Sequence, residues 1–315
     1  MATRKEFLKT AGLVGLAGMV NPGAVMAQPA HHPAPTSSPG WADGSRLVVS
    51  VSMQFEAGGQ PEEHPESPFP QNMLKGYKDL PANTWYEYGY KEGIPRMLDN
   101  WDKHGIKVTS HMVGSAVEKN PALAREIVQR GHEAAAHGRD WSSQYMLPYE
   151  EEKKFIREGM EAVKKATGVT PVGYNANWMR RGDNTLTILQ ELGFLYHIDD
   201  LSRDEPFITK VNNIDFVVVP YTLRCNDIQL VAGQWFSSDQ FLQQVKMEFD
   251  QLYEESARRR RMMSISFHDR IGGTPQLVKA TSELFAYMKQ HPGVVFKRKD
   301  DIAKMALADK QTIRE

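Results

Sequence analysis

The chain of 315 residues has a single cysteine, Cys225, so no intramolecular disulfide can form and stability has to come from packing. No histidine-rich stretch surrounds Cys225, which reads as a buried thiol rather than a reactive one. An excess of charge is also missing. The formal net charge of −1 gives no electrostatic basis for DNA, RNA or an anionic membrane as partner, and a small neutral substrate fits better. No apolar run is long enough for a permanent transmembrane helix. No repeat of solenoid length is visible, and no glycine-rich loop follows the first strand-like run to cradle a phosphate.

What is present begins with an export pattern. Arg4 and Lys5 precede Phe7 and Leu8, an apolar stretch runs from Ala11 to Val20, and a small-residue cleavage site ends at Ala27. The order Arg-Lys-x-Phe-Leu-Lys is similar to a twin-arginine signal with one arginine replaced by lysine. The expectation is an export signal over 1–27 and a periplasmic or secreted mature protein. Residues 28–44, rich in Pro, Ala, Ser and His, read as a disordered linker. A catalytic domain is expected over 45–308, and 309–315 as a tail.

β-branched runs of strand length recur at RLVVSVSMQF, IKVTSHMV, HEAAAH, TPVGYN, FLYHID, DFVVVPY, MMSISFH and GVVFKR. Helical stripes lie between them. Ile156, Met160 and Val163 share one face, Leu186 and Leu189 follow a cap expected at Asp183, and Leu242, Val245, Phe249 and Leu252 follow a capping box from Ser237 to Gln240. About seven strands alternating with helices predict an α/β fold, a parallel sheet curled into a (β/α) barrel. The arginine run after this last stripe, Ala257 to Arg261, reads as a solvated helix end.

Functional groups in such a barrel collect at the C-terminal ends of strands. That rule selects Glu56, His111, His137, Asn175, Asp227 and His268. Glu56, followed by Gly58 and Gly59, can take a proton from water, while His137 and His268 can supply a second base and a general acid. Together they are the minimum set for hydrolysing an unreactive C–N bond. His132, at the start of its strand, reads as structural.

The stretches VSVSMQFEAGG, GIPRMLDNWDKHGIKVTSHMVGSAVEKNP, GHEAAAHG and MMSISFHDRIGG, in that order, resemble the polysaccharide deacetylase superfamily over roughly 46–306. The resemblance implies an irregular (β/α) barrel. Within the superfamily it looks closest to the metal-independent allantoinase and cyclic-imide hydrolase branch, on EYG at Glu87, HGRDW at His137, PYTLRCND through Asn226 and Asp227, and FHDRIGGTP at Phe267. Deacetylases of the usual kind carry T-F-D-D and H-(S/T)-x-x-H, which supply a base and a metal triad. Here Glu56 keeps the base, but Ala57 and Trp141 stand at two ligand positions and only His137 remains. One imidazole does not hold a zinc ion. The resemblance therefore implies no metal and no other cofactor, and casts Trp141 as a flat wall for a planar substrate.

Asn175 stands where the usual motif has the arginine that orients the base. A Glu56 without that cation is expected to have a raised pKa, with Arg270, Arg139 and Arg96 as candidate replacements. The expected reaction is hydrolysis of a cyclic amide, ureide or imide. Glu56, His137 and His268 are catalytic, Glu87, Trp141, Asn175, Asn226, Asp227 and Arg270 bind substrate, and Arg270 or a backbone N–H holds the oxyanion. A carbohydrate N-deacetylase acting on an N-acetyl compound and a non-catalytic binding protein stay open, as does a homo-oligomer.

Overall fold

The computed structural model describes residues 40–61, 67–69, 71, 73, 74 and 76–315. The expected export signal and the linker as far as residue 39 lie outside the described residues. No described helix is long and apolar enough to cross a membrane.

Ten strands form one sheet among the described residues. They are β1 (Leu47–Phe55), β2 (Thr109–Met112), β3 (Glu133–Ala136), β4 (Gly173–Tyr174), β5 (Tyr196–His197), β6 (Phe207–Val211), β7 (Ile214–Val218), β8 (Met262–His268), β9 (Val294–Phe296) and β10 (Ile313–Arg314). Their order is β10-β6-β7-β5-β4-β3-β2-β1-β8, with β9 added beside β1, and the one antiparallel pair is β6 with β7. The ladder does not close strand to strand. Instead the segment after β7 returns to β8, where Ser266 N–H donates to Cys225 O at 3.0 Å and Asn226 bridges Ser266. The fold is the expected irregular α/β barrel.

Helices α1 (Leu80–Tyr88), α2 (Ile94–His104), α3 (Gly114–Lys119), α4 (Pro121–Gln129), α5 (Tyr149–Thr167), α6 (Thr185–Glu191), α7 (Ser238–Glu255), α8 (Asp269–Gly272), α9 (Pro275–Lys289) and α10 (Lys299–Ala308) complete the described fold. The capping box at Ser237 and Gln240 forms at the start of α7. Asp183 caps nothing: Asn184 stands at the N-cap of α6, and the Thr185 hydroxyl accepts from Gly182 N.

The two longest strands explain where the site lies. Along β1, Leu47, Val49, Val51, Met53 and Phe55 enter the large core shared with the helices, and β8 adds Met263, Ile265 and Phe267. The alternate residues Ser50, Ser52, Gln54, Ser264, Ser266 and His268 turn to the barrel axis, because successive strand side chains face opposite ways. A polar axis results. Its upper end opens as a cavity, and its lower end is filled by Lys299, whose Nζ donates to Ser50 Oγ at 3.2 Å.

Three expectations are corrected. The domain begins before residue 45: Trp41 is buried and its indole N–H donates to Arg261 O at 3.1 Å. The supposed tail contributes β10, paired with β6. In the arginine run only Arg258 and Arg259 are solvated. Arg260 is buried against Asp309, and Arg261 is buried against Glu255 and Glu205.

Candidate active site

β1, β3 and β8 end on one side of the barrel, and the residues just past those ends meet there. Glu56 follows β1, His137 follows β3 and His268 closes β8, all three nearly fully buried. Nε2 of His137 lies 3.6 Å from Glu56 Oε1, and Nε2 of His268 lies 3.7 Å from the same oxygen. They line a cavity of about 370 Å³ together with Trp141, Asn175 and Asn226.

Each imidazole is oriented from behind. His137 Nδ1–H donates to the Asn175 carbonyl at 2.8 Å, which turns Nε2 toward Glu56. His268 Nδ1–H donates to Asp227 Oδ1 at 2.7 Å, and Asp227 Oδ2 accepts the His268 backbone N–H at 2.8 Å. Burial opposes charge on His268, but Glu56 and Asp227 outweigh it and hold the ring above the ordinary imidazole range. The barrel thus sets two imidazoles, each held at Nδ1, around one carboxylate oxygen.

Glu56 overturns the expected rise in pKa. Burial pushes its carboxyl up, yet the neighbouring Arg270, then His268 and His137, pull it well below the usual carboxylate range. Arg270 Nη1 donates to Glu56 Oε2 at 2.6 Å. The guanidinium is fully buried and lies over the rings of Trp85 and Tyr86, at 4.7 and 4.2 Å from their centroids. It is not among the residues lining the cavity, which sets it apart from the expected substrate and oxyanion contacts, and of the three candidate cations it is the one paired with Glu56. Arg139 is engaged with Glu118, and Arg96 with Tyr88, Gly273 O and Glu92, which removes both as candidates.

Two other expected binding residues are also displaced. Glu87 lies on the outer face of α1, paired with Lys91, outside the cavity wall. Asp227 is fully buried behind His268 and positions that ring rather than substrate. Asn175 does line the cavity, with its amide nitrogen bound to Asp199 Oδ1 at 2.6 Å. Asn226 lines it too, 3.3 Å from the Tyr221 hydroxyl. The Trp141 indole packs edge-on against His137, with centroids 5.6 Å apart, and lies 4.5 Å from the Trp178 ring. His111 is buried one strand away and its ring nitrogens have no partner.

Sequence reasoning passed over Gln54, Tyr221 and Trp178, which also line the cavity. The alternation along β1 put Gln54 on the axis and was a usable signal. Tyr221 stands inside PYTLRCND and could have been noted as a polar aromatic at a strand end. Asp269 was missed as well: its Oδ2 accepts the backbone N–H groups of Glu56 and Ala57 at 2.9 and 2.7 Å and fixes the loop that carries the base.

A metal ion does not suit these residues. Ala57 offers only a methyl group and Trp141 an indole where the resemblance places two ligands, and Glu56 is already held by a guanidinium, whose charge repels a dication. No cluster of three or more His, Cys, Asp or Glu among the described residues is arranged to hold one.

A barrel with one carboxylate and two imidazoles gathered past β1, β3 and β8 has the groups that hydrolysis needs. The sequence profile of the polysaccharide deacetylase family matches residues 81–197. A solved structure described as a probable polysaccharide deacetylase from Pseudomonas aeruginosa is 30% identical, with a TM-score of 0.80, over 86% of this chain and 94% of that one. PuuE allantoinase is also 30% identical, with a TM-score of 0.80, over 86% of this chain and 93% of its own. A peptidoglycan deacetylase of Helicobacter pylori is 22% identical over 244 residues, 67% of this chain and 82% of that one. The chain belongs to the polysaccharide deacetylase family, and it is a hydrolase of non-peptide carbon–nitrogen bonds.

Proposed function

We propose that this protein hydrolyses the C–N bond of a small cyclic amide, ureide or imide, by general acid–base catalysis without a metal ion, after export from the cytoplasm. The observation that carries the reading is the convergence of the His137 and His268 Nε2 atoms on Glu56 Oε1. The likeness to PuuE allantoinase supports the substrate class, and the Trp141 and Trp178 wall suits a planar ring.

In this mechanism His137 acts as a neutral ring, so its Nε2 and Glu56 Oε1 each accept a proton from one water, which turns a lone pair toward the cavity. Arg270 keeps Glu56 ionised for this role. Attack on the carbonyl passes the water proton to the Glu56 and His137 pair. The His268 imidazolium then gives its Nε2 proton to the departing ring nitrogen, and Asp227 stabilises the charge it carries beforehand. Since Arg270 is shut away from the cavity, the oxyanion is met by polar groups that line it, and Asn226 and Tyr221 reach it by exchanging the bonds they make to each other. Strained or activated cyclic amides suit such a site better than an ordinary acetamide.

The test is turnover by the purified mature protein, before and after chelation, of cyclic imides, hydantoins, allantoin and N-acetyl sugars. Hydrolysis of a cyclic amide that survives chelation is expected. Activity confined to N-acetyl sugars and restored by added metal would instead establish a carbohydrate deacetylase, and no turnover of any amide would leave a binding protein. Fractionation of cells that express the full chain tests export, with the mature form expected outside the cytoplasm.

A further inference from the structure

The buried charges around Glu56 are engaged with one another, Asp269 lying 3.6 Å from Arg270. Arg270 balances Glu56 and Asp227 balances the His268 imidazolium, both at hydrogen-bond distance. One cation in the cavity wall is left over. Arg180 lines the same cavity as Glu56, His137 and His268, and among the described residues its guanidinium has no hydrogen-bond or ion-pair partner.

The backbone holds Arg180 at that place by unusual means. Trp178 and Met179 both have left-handed φ, 54° and 60°, a conformation that strains a bulky side chain. The turn is closed by Met179 N–H to Ala176 O at 2.8 Å and Arg180 N–H to Asn177 O at 3.0 Å. It is pinned to the loop after His137 by the buried Asn177 amide, which donates to Asp140 O and Ser142 O, each at 2.8 Å. One strained turn therefore sets the Trp178 ring against Trp141 and Arg180 at the cavity wall. Carboxylates are near, but none satisfies it: Asp199 and Asp183 line the adjoining depression that Arg180 also borders, with Asp199 committed to Asn175 and Ala176 N and Asp183 exposed to solvent.

We infer that Arg180 selects substrates in which the cyclic amide bears an anionic group, a carboxylate above all, placed at the mouth while the ring lies against Trp141. This deepens the reading of the site as a cyclic-amide hydrolase and rests on it. A guanidinium meets a carboxylate through two parallel N–H donors, which a neutral carboxamide does not reproduce.

The experiment compares kcat/KM for one ring carrying either a carboxylate or a carboxamide, in wild type, Arg180→Gln, Arg180→Lys and Arg181→Gln. Wild type is expected to favour the carboxylate by roughly ten- to a hundredfold, the scale of one charge-assisted contact. Arg180→Gln is expected to bring the ratio close to one, Arg180→Lys to keep part of it, and Arg181→Gln to change it less than about twofold if a contact and not the general field is read. An equal fall in Arg181→Gln overturns the inference, as does a wild-type ratio near one. Turnover of neither ring by wild type overturns the catalytic reading and this inference with it, whereas turnover of both at equal efficiency overturns this inference alone.

Discussion

Glu56 shows how one neighbour fixes what a residue does. Its carboxylate is buried, which alone makes it a poor base at acid pH, and Arg270 reverses the balance. Glu56→Gln keeps the shape and removes the charge, so turnover should fall by several orders of magnitude with little loss of fold. A variant that keeps more than about a tenth of the rate removes Glu56 from the mechanism. Asp227 acts through His268. Its charge favours the imidazolium, so the proposed general acid is present below the raised folded pKa and is lost as pH rises through it. Asp227→Asn should move the alkaline limb of the kcat/KM profile to lower pH, and an unmoved limb would separate His268 from the acid role. That Glu56, His137, His268, Trp141, Asn175 and Asn226 gather at one cavity was legible, because strand-end position and motif order both point there. Arg270 was named both as the cation beside Glu56 and as a substrate ligand, and sequence could not choose: it places Arg270 two residues beyond His268 but does not say that α8 folds it behind Glu56.

At the scale of elements, the ends of the strands are held by close helix packing. Gly138, next to His137, has φ +75°, and a Cβ there would lie 2.6 Å from the Phe155 ring of α5. Gly159 on α5 is the other half of this contact, since its Cβ would fall 2.4 Å from Gly138 O. Backbone cannot move aside as a flexible side chain can. Gly159→Ala should therefore push α5 off the end of β3, lower stability by about 1–3 kcal/mol and displace His137. The check is a denaturation midpoint alongside kcat, and a loss of stability without a loss of kcat would show that the barrel end tolerates the shift. Eight of the ten strands were legible from their β-branched runs. β6 escaped because its residues are split between faces and only its partner β7 has a continuous apolar run. The signal was the turn between them, Asn212–Asn213, with φ of 50° and 63°, a two-residue hairpin in the residue type that accepts it. β10 is two residues long and no periodicity reveals it.

For the whole molecule, pH dependence follows from how many buried groups bind protons differently when folded. Burial raises Glu133 to about 7 and Asp199 and Asp269 to about 6. Between their unfolded values, near 4, and these, the native state holds protons the unfolded chain has lost, so each makes stability fall as pH rises. Burial lowers His132 to about 4, His197 to about 3 and His111 well below its ordinary value. Below pH ~6.5 the unfolded chain gains protons that these three rings refuse, so each makes stability rise with pH. Three opposing pairs nearly cancel, and a plateau is expected from about pH 4.5 to 6.5. Beyond it, His268, whose pKa is raised, releases stability as pH climbs through its folded value, and Glu133 adds to that up to about 7. Below about pH 4.5 the depressed Glu56 takes over, its stabilisation lost as pH falls toward its folded value. The melting temperature should thus be flat in mildly acid buffer and decline on both sides. Substitution separates the cancelling terms: Glu133→Gln should tilt the plateau so that stability rises with pH, and His132→Asn should tilt it the other way, each by on the order of 2 kcal/mol across the window. Thermal unfolding in a buffer series reads all three, and tilts of the same sign in both variants would show that the plateau has another origin.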